Sequence, residues 1–80
     1  MVDRLQGKKV VGVKQATKAL KAGLGMTLYI AENADAKVIQ PLKELAHEKN
    51  VEVVLIDTML HLGKLSGIEV GSAATLILQD

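Results

Sequence analysis

The chain reads as an α/β domain, a three-layer α-β-α sandwich around a central four-stranded mixed sheet. Two observations carry this reading. Runs of β-forming apolar residues alternate with segments of helical periodicity in the order β-α-β-α-β-α-β, which places helices on both faces of a sheet. The hydrophobic share of 49% is ample for a core, and 80 residues make one domain, residues 1–80.

The elements follow in order. Residues 3–6 are expected to form a turn of helix, and Lys8–Val11 a short strand that Gly12 ends. A basic helix runs between Gly12 and Gly23, where a glycine readily takes the left-handed conformation. Thr27-Leu28-Tyr29-Ile30-Ala31 is rich in β-formers and reads as a buried strand. Glu32-Asn33-Ala34-Asp35 is a loop with capping residues. Val38, Ile39, Leu42, Leu45 and Ala46 recur at helical spacing, interrupted by Pro41. The expectation is a first turn near 36–39, then a main helix from Pro41 to about Lys49 with proline at its first position. Val51–Ile56 is a continuous apolar strand broken only by Glu52. Asp57 or Thr58 caps a helix to about Leu65, with Gly67 as its left-handed stop. Ser72–Leu78 is the last strand, free to run antiparallel to some of the others.

The basic helix organises the rest. At 100° per residue, Lys14, Lys18 and Lys21 fall within a fan of about 60° on one face. Val13, Ala16 and Leu20 fall on another face, which suits burial. Gln15 sits beside the basic stripe in the first turn, where backbone N–H groups lack helical partners and form an anion site. Lysines, free N–H groups and a planar amide together suit a phosphate backbone with one or two base edges beside it. A solvated face is the competing reading of such a stripe. The net charge of +1 hides a polarity: residues 1–25 carry +5 and residues 26–80 carry −4.

Composition excludes several classes. Tyr29 is the only aromatic residue, so no platform of stacked rings exists to hold bases. There is no cysteine, hence no disulfide framework, thiolate metal site or cysteine nucleophile. No run approaches the ~20 apolar residues that span a bilayer, and Met1-Val2-Asp3-Arg4 lacks a secretion-signal core, so no membrane partner and a cytoplasmic location are expected. Asp57 and His61 are four apart at a helix start and can touch, but with Ser66 they lack any nucleophile-elbow or oxyanion motif. His47 and His61 lie on different helices without a third ligand, so no metal site and no cofactor are expected.

A second informative stretch is Leu62-Gly63-Lys64-Leu65-Ser66-Gly67-Ile68-Glu69-Val70-Gly71. It leaves a helix and places two β-branched residues, Ile68 and Val70, in a glycine-flanked loop. They either tuck into the core or cover the face of an unstacked base.

Together, Gly12-Val13-Lys14-Gln15-Ala16-Thr17-Lys18, the Ala-Glu-Asn-Ala-Asp loop after a strand, and Leu62-Gly63-Lys64 with Gly67-Ile68-Glu69-Val70 resemble the ribosomal protein L-seven-Ae superfamily of kink-turn RNA binders. The resemblance covers nearly the whole chain and is nearest to the small bacterial YbxF-type members. Archaeal members typically carry Asn-Glu where this chain has Lys14-Gln15; the bacterial type is similar to this sequence there. The resemblance implies binding to a duplex bent at a bulge beside tandem sheared G·A pairs, in ribosomal or riboswitch-like RNA, with the ribosome among its partners. Lys14 and Gln15 would read guanine edges, Lys18 and Lys21 would hold phosphates, and Gly12 and Val13 would add N–H donors. Ile68, Glu69 and Val70 would pack on a bulged nucleotide. A monomer without enzymatic activity is expected. Two alternatives stay open: a ribosome-associated structural protein, and a small α/β protein-interaction module whose basic helix docks an acidic partner.

Overall fold

The structure, a computed structural model, describes residues 7–79, so the helical turn expected at 3–6 lies outside the described residues. The elements are β1 (Lys9–Val11), α1 (Val13–Lys21), β2 (Gly25–Ala31), α2 (Ala36–Glu48), β3 (Glu52–Ile56), α3 (Met59–Leu65) and β4 (Ala74–Leu78). They form one mixed sheet in the order β1-β4-β2-β3. β2 and β3 are parallel, and β4 runs antiparallel to both β1 and β2. The expected three layers follow from how the strands distribute their side chains.

Alternate residues of a strand face opposite sides. Leu28, Ile30, Ala74 and Leu76 face α1 and α2 and form the main core with Ala16, Ala19, Leu20, Ile39, Leu42 and Ala46. Each fully buried leucine or isoleucine there contributes roughly 1.5–3 kcal/mol. The small Ala16 and Ala19 let α1 lie close to its neighbours. The other sheet face carries Thr75, covered by α3, and there polar groups are buried and satisfied. Ser66 Oγ donates to Leu62 O at 2.8 Å and lies 2.6 Å from Thr75 Oγ1, while Ser72 Oγ donates to Ala74 O at 2.7 Å.

Pro41 does not open a helix. α2 is continuous from Ala36 to Glu48 with Pro41 inside it. The Asp35 carboxylate caps Lys37 N at 2.9 Å, and Val38 N and Ile39 N donate to Asp35 O, so the helix is nucleated well before the proline. Pro41 itself lies on the exposed side. It removes one helical hydrogen bond, a penalty of about 3 kcal/mol. Breaking the helix there would expose the buried stripe of Ile39, Leu42 and Ala46, a loss of similar or greater size.

The apolar run at Val51–Ile56 also differs from its simplest reading. The strand begins at Glu52 and is a sheet edge, and Val53 and Leu55 are 36% and 49% exposed. The last strand begins at Ala74 rather than Ser72. Ser72 N and Ala73 O are used in bonds to Met59 O and Ala31 N, which tie loops together.

Candidate nucleic-acid interface

α1 starts at Gly12, whose φ of 109° and ψ of 152° suit a residue without Cβ. Gly12 N donates to Ala74 O at 2.8 Å, which fixes the helix start to the beginning of β4. Glycine supplies no capping side chain, and the first turn has no acidic residue. The positive end of the helix therefore stays open to an outside anion. Lys14 and Gln15 occupy its second and third positions, both exposed, and Val13 is half-buried against the core.

Lys18 and Lys21 continue the exposed face, and none of Lys14, Lys18 and Lys21 has an ion-pair partner among the described residues. Lys14 and Lys21 are separated by about 10 Å along the axis at 1.5 Å per residue. An open depression on this face is lined, among the described residues, by Lys14, Gln15, Thr17, Lys18 and Lys21. Thr17 bonds its hydroxyl back to Val13 O at 2.8 Å and so presents a methyl beside the lysines.

The second half of the surface is the segment between α3 and β4. Gly67, at φ 83°, ends the helix as expected. The chain then folds back over the start of α3, where Ser72 N donates to Met59 O at 2.9 Å. A Cβ on Gly63 would run into the Val70 carbonyl oxygen, so only glycine allows this approach. The result is a braced loop. Val70 is 68% exposed, Glu69 is exposed and Ile68 is half-buried, so the two aliphatic side chains do not both enter the core.

The backbone brings these two stretches to one end of the sheet. Gly12 N to Ala74 O ties α1 to the strand that the loop enters. Ala31 N donates to Ala73 O, and Asn33 Oδ1 accepts from Met59 N at 2.7 Å, adding the loop after β2 to the same cluster. Lys14 and Gln15 at the start of α1 and Ile68, Glu69 and Val70 in the loop before β4 thus lie at the same end of the sheet, with Lys18 and Lys21 trailing along α1.

Sequence reasoning missed Met59 and Leu60, 36% and 56% exposed at the start of α3. The signal was present: Met-Leu-His-Leu in a seven-residue helix holds more apolar side chains than one face can bury. Met59 is also the backbone hub of the cluster, through its N–H to Asn33 and its carbonyl to Ser72.

The Asp57–His61 contact forms, with His61 Nδ1 donating to Asp57 Oδ1 at 2.8 Å. That bond, helped by Thr58 N, holds the Asp57 carboxyl below its usual range. Both side chains are exposed, whereas Ser66 is buried and engaged with Leu62 O and Thr75, so the three make no charge relay. Among the described residues no group of three or more side chains could hold a metal ion, and no helix is long and apolar enough to cross a membrane.

Fold and surface together define a small α-β-α domain with a cationic helix start set beside an aliphatic loop. The chain belongs to the ribosomal protein L7Ae/L30e/S12e/Gadd45 family, whose sequence model matches residues 2–80. It is 44% identical over 73 residues to the RNA-binding protein YbxF of Geobacillus stearothermophilus, covering 91% of this chain and 89% of that one. It is 37% identical over 78 residues to the large ribosomal subunit protein eL8 of Halobacterium salinarum, covering 96% of this chain and 65% of that one. The fold matches that of the Giardia lamblia 15.5kD RNA binding protein, with a TM-score of 0.83 at 23% identity over 90% of this chain and 61% of that one.

Proposed function

We propose that this protein binds RNA at kink-turns and stabilises the bent form. The observation that carries the reading is the joining, at one end of the sheet, of an uncapped, lysine-bearing helix start and a braced aliphatic loop. Its relatives, the RNA-binding protein YbxF and the large ribosomal subunit protein eL8, support it.

Ordinary A-form RNA hides the edges of its bases in a deep, narrow major groove. A kink beside sheared G·A pairs opens that groove. In this reading Lys14 and Gln15 donate to guanine O6 and N7, and the Val13 N–H and the positive helix end hold a phosphate, whereas the Gly12 N–H expected beside it is already engaged with Ala74 O. Lys18 and Lys21 hold further phosphates along one strand, about 10 Å being enough to span two of them. Ile68 and Val70 cover the face of the bulged nucleotide, whose edge Glu69 borders. The protein binds the bent RNA better than the straight one, so binding shifts the RNA population toward the bend. One chain carries the whole interface, and no catalytic step is involved. Ribosomal RNA in the cytoplasm, or a riboswitch-like RNA, is the natural target.

The test is a gel shift on a kink-turn RNA beside the same RNA with its bulge deleted. Binding to the first and a loss of at least about tenfold on the second is expected, which is about 1.4 kcal/mol. Equal binding to both would leave only general polyanion affinity and refute kink-turn recognition.

A further inference from the structure

Residues 66–73, between α3 and β4, belong to neither helix nor strand, yet they carry Ile68, Glu69 and Val70. Contacts with α3 hold this stretch in place. Ser72 N donates to Met59 O at 2.9 Å, and Gly71 lies so close that a Cβ on it would stand 3.2 Å from the Met59 Cβ. The Val70 carbonyl lies against Gly63 in the same way. Where Met59 sits therefore decides where the loop sits. Met59 is itself held from outside its helix, since its N–H donates to Asn33 Oδ1 at 2.7 Å. Asn33 stands on a fixed base. On one side Ala31 N donates to Ala73 O and Glu32 N to Ile56 O, and on the other the Asp35 carboxylate caps α2 at Lys37 N. The helix has a local cap without Asn33, because Thr58 Oγ1 accepts from His61 N at 3.0 Å. What the asparagine adds is a bond across 26 residues of sequence, joining the loop after β2 to the start of α3.

We infer that Asn33 is a positioning residue for RNA recognition, an inference that rests on the kink-turn reading above. Asn33 Oδ1 fixes Met59, Met59 O fixes Ser72, and the aliphatic side chains of the loop are thereby set at one place relative to the start of α1. Asn33 touches no base in this role. Covering one nucleotide while reading the edge of another needs both parts of the surface held to within about 0.5 Å. A loop without this hold spreads over several positions, and its affinity falls by the fraction of time spent in the right one. That loss is confined to RNA that uses the loop. Asparagine supplies the acceptor without charge. An aspartate makes the same bond, and makes it well at a helix start, but it adds a carboxylate close to Glu32 and Asp35, which weakens the hold on any polyanion.

Asn33→Ala and Asn33→Asp separate placement from charge. In Asn33→Ala the Ser72 N–H is expected to exchange with solvent at least about threefold faster, as loss of a hydrogen bond in the chain that holds it requires, with the sheet amides of Leu28 and Leu76 unchanged. Affinity for a kink-turn RNA should fall about fivefold or more, and affinity for the same RNA without its bulge should stay within about twofold. Asn33→Asp should keep Ser72 at its original exchange rate and lower affinity for both RNAs by the same factor, so that the preference for the kink-turn survives. Unchanged Ser72 exchange in Asn33→Ala, or an equal loss on both RNAs, would overturn the positioning role. So would a preference lost in Asn33→Asp while Ser72 stays protected. Equal binding of the two RNAs by the unmodified chain is the separate signature of a failed kink-turn reading, and Ser72 exchange then still decides whether Asn33 places the loop.

Discussion

Lys14→Glu separates the contribution of this helix to stability from its contribution to binding. Lys14 is the second residue of α1, where Gly12 offers no cap and the first turn has no acid. A cation at that point opposes the positive end of the helix, and a carboxylate there favours it by about 0.3–1 kcal/mol. Reversal removes the first effect and adds the second, so a net gain of about 0.5–1 kcal/mol is expected after screening. In a domain of this size that raises Tm by about 2–8 °C. The same substitution places a negative charge where a phosphate or guanine edge is to be held, so affinity for a kink-turn should fall by more than about tenfold, or 1.4 kcal/mol. Thermal melts at low and high salt, run beside a gel shift, read both quantities. The gain in Tm should shrink with salt, as exposed charge interactions do. A fall in Tm, or unchanged RNA affinity, would refute the idea that this helix start is kept cationic for an anionic ligand.

Three further outcomes are expected. Lys18→Ala should weaken binding to all RNA sequences and flatten the slope of log K against log salt by about 0.7–0.9, read by titrations at several salt concentrations; an unchanged slope would remove Lys18 as a phosphate contact. Gln15→Ala should lose about 1–3 kcal/mol on a kink-turn and much less on plain duplex, and equal losses by gel shift would exclude it as a base reader. Gly63→Ala, which drives a methyl into the Val70 carbonyl oxygen, should cost about 1–3 kcal/mol of stability in a urea titration; a neutral result would mean that the loop is not held against α3.

The order of the elements was legible because each is a local pattern. Gly12 and Gly67, both at positive φ, mark ends that sequence can announce. The stripe of Lys14, Lys18 and Lys21 opposite Ala16 and Leu20 was legible for the same reason, since helical spacing alone fixes it. What was not legible depends on partners far along the chain. Whether Pro41 starts or interrupts a helix turns on the Asp35 cap and on the burial of Ile39 and Leu42, which together outweigh one missing bond. Whether Val53 and Leu55 are covered turns on strand order, which places β3 at an edge. The part of Met59 as a hub needs Asn33, 26 residues away, and Ser72, both of which reach its backbone rather than its side chain. Main-chain bonds of this kind leave no mark in composition or spacing.

Amide chemical shifts followed during titration with a kink-turn RNA address the whole surface at once. If the early helix and the loop before β4 act as one clamp, the N–H signals of Val13, Lys14 and Gln15 should move together with those of Ile68, Glu69, Val70 and Gly71, at the same RNA ratio, while β3 stays still. Movement limited to one of the two stretches, or centred on β3, would contradict it.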